Sequence, residues 1–319
     1  MASSQHSPSA VTHPSGSGPT AGHAAERAQH LRGLLFCSLA AIIWSSGGVV
    51  VRTVGAGAWE IIFWRSVFAG LFLAGLLLVR ERRRFFKVFL EAPWASIGMG
   101  LCFATASTCF VIAMEYTSVA KILFLQGISP FIAAIASWLI LRERVGPRTW
   151  GAMAVALVGI GIMEIESFEG GGSLIGDLLS VTIGAAFAIA TVIVRSNRKV
   201  RMIPAAFYAT AIAGTIAATQ APTLAISDHD LPYLFFFGFG QLGLGMALYT
   251  SGARHIPAAE AALAALLEPA LGPIWVWLVY AENPGLYAIV GGAILIGSLI
   301  LHSLYDLHAA GRRVVPPVI

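Results

Sequence analysis

Charge is what this sequence has least of. Asp, Glu, Lys and Arg make up 11% of its 319 residues, less than half of the about 25% usual in a soluble domain. Hydrophobic residues reach 57% and the mean hydropathy is +0.79. A soluble enzyme, a nucleic-acid-binding protein and a disordered chain are excluded on that balance alone. Cysteine is scarce too, with Cys37, Cys102 and Cys109 all inside apolar runs. Cys102 and Cys109 lie about 10 Å apart by helical rise, beyond the roughly 7 Å that a disulfide tolerates. No CxxC or Cys/His metal spacing occurs. Aspartate is limited to Asp177, Asp228, Asp230 and Asp306, so the clustered acids of an intramembrane lipid or prenyl transferase are missing. No ATP-binding motif occurs, which leaves gradients as the energy source. No cofactor, metal, nucleic acid or obligate protein partner is expected; the partners are the bilayer and a small-molecule substrate. What is present in quantity is apolar helix, and the chain reads as an all-α integral membrane protein.

Residues 1–32 are rich in Ser, Gly, Pro, His and Ala without an apolar period and read as a disordered cytoplasmic tail; 306–319 read as a second tail. Between them lie ten apolar stretches: Leu34–Val51, Ile61–Leu78, Ala95–Met114, Ile122–Leu141, Trp150–Ile165, Leu174–Val194, Ala205–Ala221, Tyr233–Ala253, Ala259–Tyr280 and Leu286–Leu301. Most have the length of a membrane helix, and backbone in lipid must satisfy its own polar groups. The alternating segments of a barrel are absent. The fifth stretch is short, and charge supports it. With both termini cytoplasmic, the clusters Arg80–Lys87, Arg142–Arg148, Arg195–Arg201, Arg254 and Arg312–Arg313 fall inside. Arg52 and Lys121 fall at outer ends, beside outer-loop Glu164, Glu166, Glu169, Asp228, Asp230 and Glu282. Removing the fifth span would reverse this positive-inside bias.

The segment Tyr116–Gly146 recurs at an offset of 139 residues. Ala120, Pro130, Ile135, Trp138, Leu139, Glu143 and Gly146 match Ala259, Pro269, Ile274, Trp277, Leu278, Glu282 and Gly285. At an offset of 143, Gly33 and Arg52 echo Gly176 and Arg195. Two five-helix halves, 33–165 and 174–305, follow. An odd helix number makes the second half enter the membrane in the opposite sense, the arrangement of many secondary transporters. The runs Tyr116–Ile162 and Ile256–Leu301 resemble the paired repeats of the drug/metabolite transporter superfamily, EamA type. Ile42–Arg52 with Phe63–Leu78, and Gly176–Arg195, resemble the starts of the two family repeats. That resemblance spans about 33–305. It implies ten helices in a 5+5 inverted repeat and alternating access around a central cavity. It also points toward bacterial inner-membrane exporters of amino acids, aromatic ones included. Efflux of drugs or other metabolites is the alternative on the same fold, and an intramembrane enzyme or a channel fits the residues less well.

Polar residues inside the spans are the candidates for the substrate cavity. Glu268 sits mid-span beside Pro269, suited to proton coupling or to binding an amine. Gln126 and Ser129, with Pro130, form the matching break in the fourth span. Arg65 is suited to a carboxylate, or to snorkelling toward the outer interface. Gln241 and Tyr249 flank Gly245 on one predicted helix face, and Trp44 and Ser45 precede Gly47 and Gly48. The glycines and the two prolines are expected helix breaks or hinges. Trp59, Trp94, Trp150 and Trp277 read as interface anchors or packing. Gly238–Gly243 has the form GxGxxG but lies within a span, where small residues serve helix packing. Asp228, His229 and Asp230 lack further ligands for a metal.

Overall fold

The computed structural model describes residues 19–91, 93–165, 173–281 and 283–312, and all regular structure among them is helical. In chain order the first part contains α1 (Pro19–Trp44), α2 (Gly47–Thr53), α3 (Ala58–Glu81), α4 (Phe85–Val88), α5 (Pro93–Ala113), α6 (Val119–Gln126), α7 (Ser129–Leu141) and α8 (Pro147–Met163). The second contains α9 (Leu174–Ser196), α10 (Ile203–Gln220), α11 (Asp230–Phe235), α12 (Gly245–Ala253), α13 (Ala258–Ala265), α14 (Leu267–Tyr280) and α15 (Gly285–Arg312). Eight helical segments are long and apolar enough to cross a membrane. The helix over Pro147–Met163 has only 17 residues, and the small and polar residues of Ile203–Gln220 dilute its hydropathy.

Two terminal expectations change. Residues 19–32 are helical, because the segment after Gly22 is built from strong helix formers, Ala, Glu, Gln and Arg, and runs without a break into the first apolar stretch. Residues 1–18 lie outside the described residues. Helix α15 likewise continues past Tyr305 to Arg312, while 313–319, Glu166, Glu169 and Glu282 are not described.

Helix starts follow local chemistry. Ser118 and Ser173 accept hydrogen bonds from the amides of Lys121 and Gly176, each at 3.2 Å, which satisfies an otherwise open donor in the first turn. Pro130, Pro147 and Pro204 occupy first-turn positions, where the missing N–H is harmless. Three spans are interrupted: at Ser45–Ser46 between α1 and α2, at Gly127–Ile128 between α6 and α7, and at Leu266 between α13 and α14. A fourth departure is a π-helical stretch, Phe236–Leu244, joining α11 to α12.

The main packing partners come from opposite parts of the chain. Helix α5 packs on α9, α8 on α15, α3 on α10 and α1 on α12. The core is built of small residues and aromatics around Ala40, Leu73, Met99, Ala205 and Tyr249. Large apolar side chains face outward instead, among them Leu71, Leu139, Leu178 and Leu301. A surface of that kind belongs in lipid. Trp94, Trp150 and Trp277 are among the exposed residues.

Candidate functional site

Two cavities meet at Trp44, Phe110 and Glu268. The larger, about 280 Å³, runs past Ser45, Gly48 and Pro269 to helix ends at Arg52, Glu164 and Asn283. The smaller, about 80 Å³, is lined by Arg65, Gln126 and Gln241 and by the rings of Phe103 and Phe187, which pack edge to face.

The break after α1 organises this site. Ending the helix at Trp44 frees its carbonyl from the usual helical partner, and Gln241 donates Nε2 to that oxygen at 2.9 Å. The amide oxygen of Gln241 accepts from Nη2 of Arg65 at 3.4 Å. Arg65 is only 5% exposed, and its guanidinium carbon stands 4.3 Å over the Phe237 ring. Its Nε and Nη1 have no hydrogen-bond partner. Snorkelling to the interface is therefore not its role. A buried cation with donors to spare is costly unless something fills them. Among the described residues no direct ion pair joins Arg65 to Glu268, although both line the inner cavity.

Glu268 stands in the first turn of α14, where a carboxylate faces the open N–H groups and the positive end of the helix dipole. Ser45 lines the outer cavity with both functions of its hydroxyl engaged: it donates to the Ile42 carbonyl at 2.6 Å and accepts from Trp275 Nε1 at 2.8 Å. Trp275 was not among the sequence candidates, and its tie from α14 to the break after α1 spans 230 residues of chain.

Two expected cavity residues, Tyr249 and Ser129, are placed elsewhere. Tyr249 is fully buried, shares a 2.9 Å hydrogen bond with the Thr191 hydroxyl, and packs 5.3 Å from Trp44 and 4.9 Å from Phe187. It lines neither cavity and instead backs the aromatic wall that closes the inner one. Ser129 and Pro130 are buried in the first turn of α7 and touch neither cavity, so of the fourth-span group only Gln126 reaches the site. Gln241, Gly245 and Tyr249 all approach Trp44, but the Tyr249 ring packs among Trp44, Phe103 and Phe187 and is covered from the cavity by them. The rings of Phe103, Phe110 and Phe187 were missed because an apolar aromatic in an apolar span carries no local signal.

Glycine lets the walls approach. A Cβ at Gly245 would collide with the Trp44 indole, and one at Gly238 with the backbone of Arg65. Gly47 packs beside Gln241. The GxGxxG segment is thus a helix-packing surface. Asp230 accepts from the Gly55 amide at 3.2 Å, fastening the loop before α3. Among the described residues no group of three His, Cys, Asp or Glu is arranged to hold a metal ion.

Ion pairs stand at opposite ends of the bundle. Lys121 on α6 meets Asp177 on α9 at 2.7 Å. Arg195 at the far end of α9 meets Glu143 at 3.0 Å and donates to the Arg254 carbonyl at 3.2 Å.

The EamA-like transporter family model matches the chain twice, over residues 31–165 and 174–304. The chain belongs to the EamA-like transporter family. As an EamA-type chain of the drug/metabolite transporter superfamily it is a multi-pass membrane transporter. It is 24% identical over 284 residues to the pseudopaline exporter CntI of Pseudomonas aeruginosa, covering 84% of this chain and 94% of that one. It is 25% identical over 290 residues to the S-adenosylmethionine/S-adenosylhomocysteine transporter of Chlamydia muridarum, covering 83% and 90%. An uncharacterised transporter of Archaeoglobus fulgidus is 23% identical over 278 residues, covering 82% and 93%. A solved crystal structure is similar in fold, with a TM-score of 0.74 at 16% identity, over 90% of this chain and 99% of that one.

Proposed function

We propose that this EamA-type protein is a secondary exporter of small zwitterions, amino acids or close relatives, in a bacterial inner membrane. The observation that carries the reading is the pair Arg65 and Glu268 on one cavity, with donors of Arg65 left open. A guanidinium binds a carboxylate through charge-assisted hydrogen bonds, and the carboxylate lining the same cavity takes an ammonium group. Trp44, Phe103, Phe110 and Phe187 offer faces to an apolar or aromatic side chain.

The accompanying topology is ten helices in a 5+5 inverted repeat with both termini cytoplasmic. Two features support it besides the repeat in the sequence. The packing partners exchange halves, α1 with α12 and α5 with α9. Helices α7 and α14 also end alike, on left-handed Arg142 and Ala281 with φ of 56° and 54°, positions that are 139 residues apart. In this frame the cavity opens outward past Arg52 and Glu164. The aromatic wall and the Arg195–Glu143 pair close the inner side. Rocking the halves would reverse which end is closed.

Counterflow in proteoliposomes tests the reading. Saturable exchange of one or more labelled amino acids, suppressed by excess unlabelled substrate, is expected. Silence from every amino acid, with the protein folded, would redirect the search to drugs, nucleosides or sugar phosphates. Unaltered exchange by forms crosslinked shut at either end would overturn alternating access.

A further inference from the structure

The largest cavity among those described, about 490 Å³, lies outside the transport site. Arg32, Arg80, Arg201, Arg254 and His255 line it, contributed by the middle of α1, the end of α3, the loop before α10 and the loop after α12. Below the rim the walls turn apolar in helical register. Arg80 is followed down α3 by Leu76 and Phe72, each four residues deeper, and Arg32 down α1 by Phe36. Below His255 come Ser251, Thr250 and Leu248 of α12 and Leu244 at the end of the π-helical stretch. Four-residue steps put Phe72 about 12 Å deeper than Arg80.

The rim has more positive charge than its own carboxylates meet. Arg201 pairs with Glu81, and the guanidinium of Arg32 stands 5.3 Å over the Phe36 ring. Nε of Arg254 is buried with no hydrogen-bond partner. Burial, then repulsion from Arg201, Arg80 and Arg32, holds Arg254 below the ordinary arginine range. Burial, with Arg254, Arg32 and Arg195, lowers His255 in the same way. An anion in the cavity would relieve all of these at once.

We infer that this cavity is a binding site for an anionic phospholipid, its phosphate headgroup held by Arg32, Arg80, Arg201 and Arg254 and one acyl chain laid along Phe72, Leu76, Leu244 and Leu248. Charge at the membrane end with an apolar groove descending from it is the outline of an amphiphile. A free phosphate would use only the rim. Basic pockets between helices at a cytoplasmic surface take lipid headgroups by the same electrostatics. The site joins α1 and α3 to α10 and α12, helices from opposite halves. Its occupancy is separate from the transport reading and is measured without a transport substrate.

Native mass spectrometry and thermal unfolding of the full chain in mild detergent test the inference. The probes are phosphatidylglycerol, phosphatidylcholine of the same chains, and inorganic phosphate at equal phosphate concentration. Phosphatidylglycerol is expected to remain as a one-to-one adduct and to raise the melting temperature, while the other two do neither. The double variant Arg80→Gln/Arg254→Gln should weaken retention about 30-fold, and Arg83→Gln/Arg84→Gln, whose arginines lie away from the cavity, should leave it unchanged. Leu76→Trp keeps every charge and fills the groove, so it should abolish lipid retention even where the arginine variant folds poorly. Equal retention of phosphatidylcholine, or full retention by Leu76→Trp, overturns the site. An equal shift with inorganic phosphate overturns the lipid and leaves a soluble-anion site.

Discussion

The two helix breaks related by the 139-residue offset share a backbone and differ in chemistry. Between α6 and α7 the chain pauses at Ile128 with φ −71° and ψ −14°; between α13 and α14 it pauses at Leu266 with φ −67° and ψ −4°. Neither break has a side-chain cap, and each is followed by a first-turn proline, Pro130 or Pro269. Yet the residue before the proline is a buried Ser129 in one case and a cavity-lining Glu268 in the other. The repeat therefore supplies the geometry twice and the charge once. The opposing charge, Arg65, comes from a third place, and the site is asymmetric although the scaffold is not.

Removing Arg65 should break the comparison most severely. Arg65→Gln is expected to lower counterflow about 100-fold, the scale of losing a charge-assisted contact to substrate. Arg65→Lys should recover little, because an ammonium does not reproduce the planar donor set. A normal rate in either variant, with the protein folded, would remove Arg65 from the site.

Exchanging the two break residues comes next. Glu268→Gln is expected to reduce zwitterion exchange about tenfold, at 1.4 kcal/mol of lost binding per decade, and to abolish its pH dependence. Unchanged pH dependence would make Glu268 a packing residue. Ser129→Glu places a carboxylate at a position 4% exposed and away from both cavities, so it should destabilise by about 3 kcal/mol without rescuing Glu268→Ser. Rescue would mean that the breaks are interchangeable and that the asymmetry is incidental.

The shared geometry can be sharpened at the far ends of the same helices. Arg142 and Ala281 both hold left-handed backbone, a conformation that costs a non-glycine residue about 1 kcal/mol. Arg142→Gly and Ala281→Gly should each stabilise by roughly 0.5–1 kcal/mol, read as similar rises in melting temperature in detergent. A rise at only one site would argue that the two helix ends are not equivalent.

His255 gives the smallest effect and separates the pH response of stability from that of transport. Burial and the arginines around it hold its imidazole below the ordinary value. As pH falls through about 6.5, the unfolded chain takes up a proton that the folded protein resists, so stability declines toward acid. Melting measured from pH 8 to pH 5.5 should fall less steeply for His255→Gln than for the parent, and Glu268→Gln should not alter the part that His255 contributes.

Much of the scaffold is legible because its signals are local. The hydropathy of a span, the prolines at the breaks and the basic clusters each act within a few residues of themselves. Arg65 and Glu268 stand out singly because a charge inside a span is expensive wherever the chain places it. The bond from Gln241 to the Trp44 carbonyl joins residues 197 positions apart. It depends on a helix that stops at Trp44 and on the close packing of the Gln241 helix against it, which Gly245 allows. Tyr249 reaches Trp44 as Gln241 does, but the rings of Phe103 and Phe187 cover it from the cavity, and no spacing along one helix shows that. The segment 19–32 was misread because composition alone outweighed the helix-forming residues after Gly22.

The sequence by itself determined that this is an apolar, helical membrane chain with a repeated plan and a few charges in its spans, Arg65 and Glu268 among them. Hydropathy and backbone hydrogen bonding leave no other folded outcome in lipid. Only the tertiary structure decided that Arg65 and Glu268 face one cavity, that aromatic rings close it, and that four arginines from distant segments ring a second cavity. Those are distances between helices, and helix packing depends on how small residues and breaks let particular faces approach. No pattern along a single helix specifies that approach.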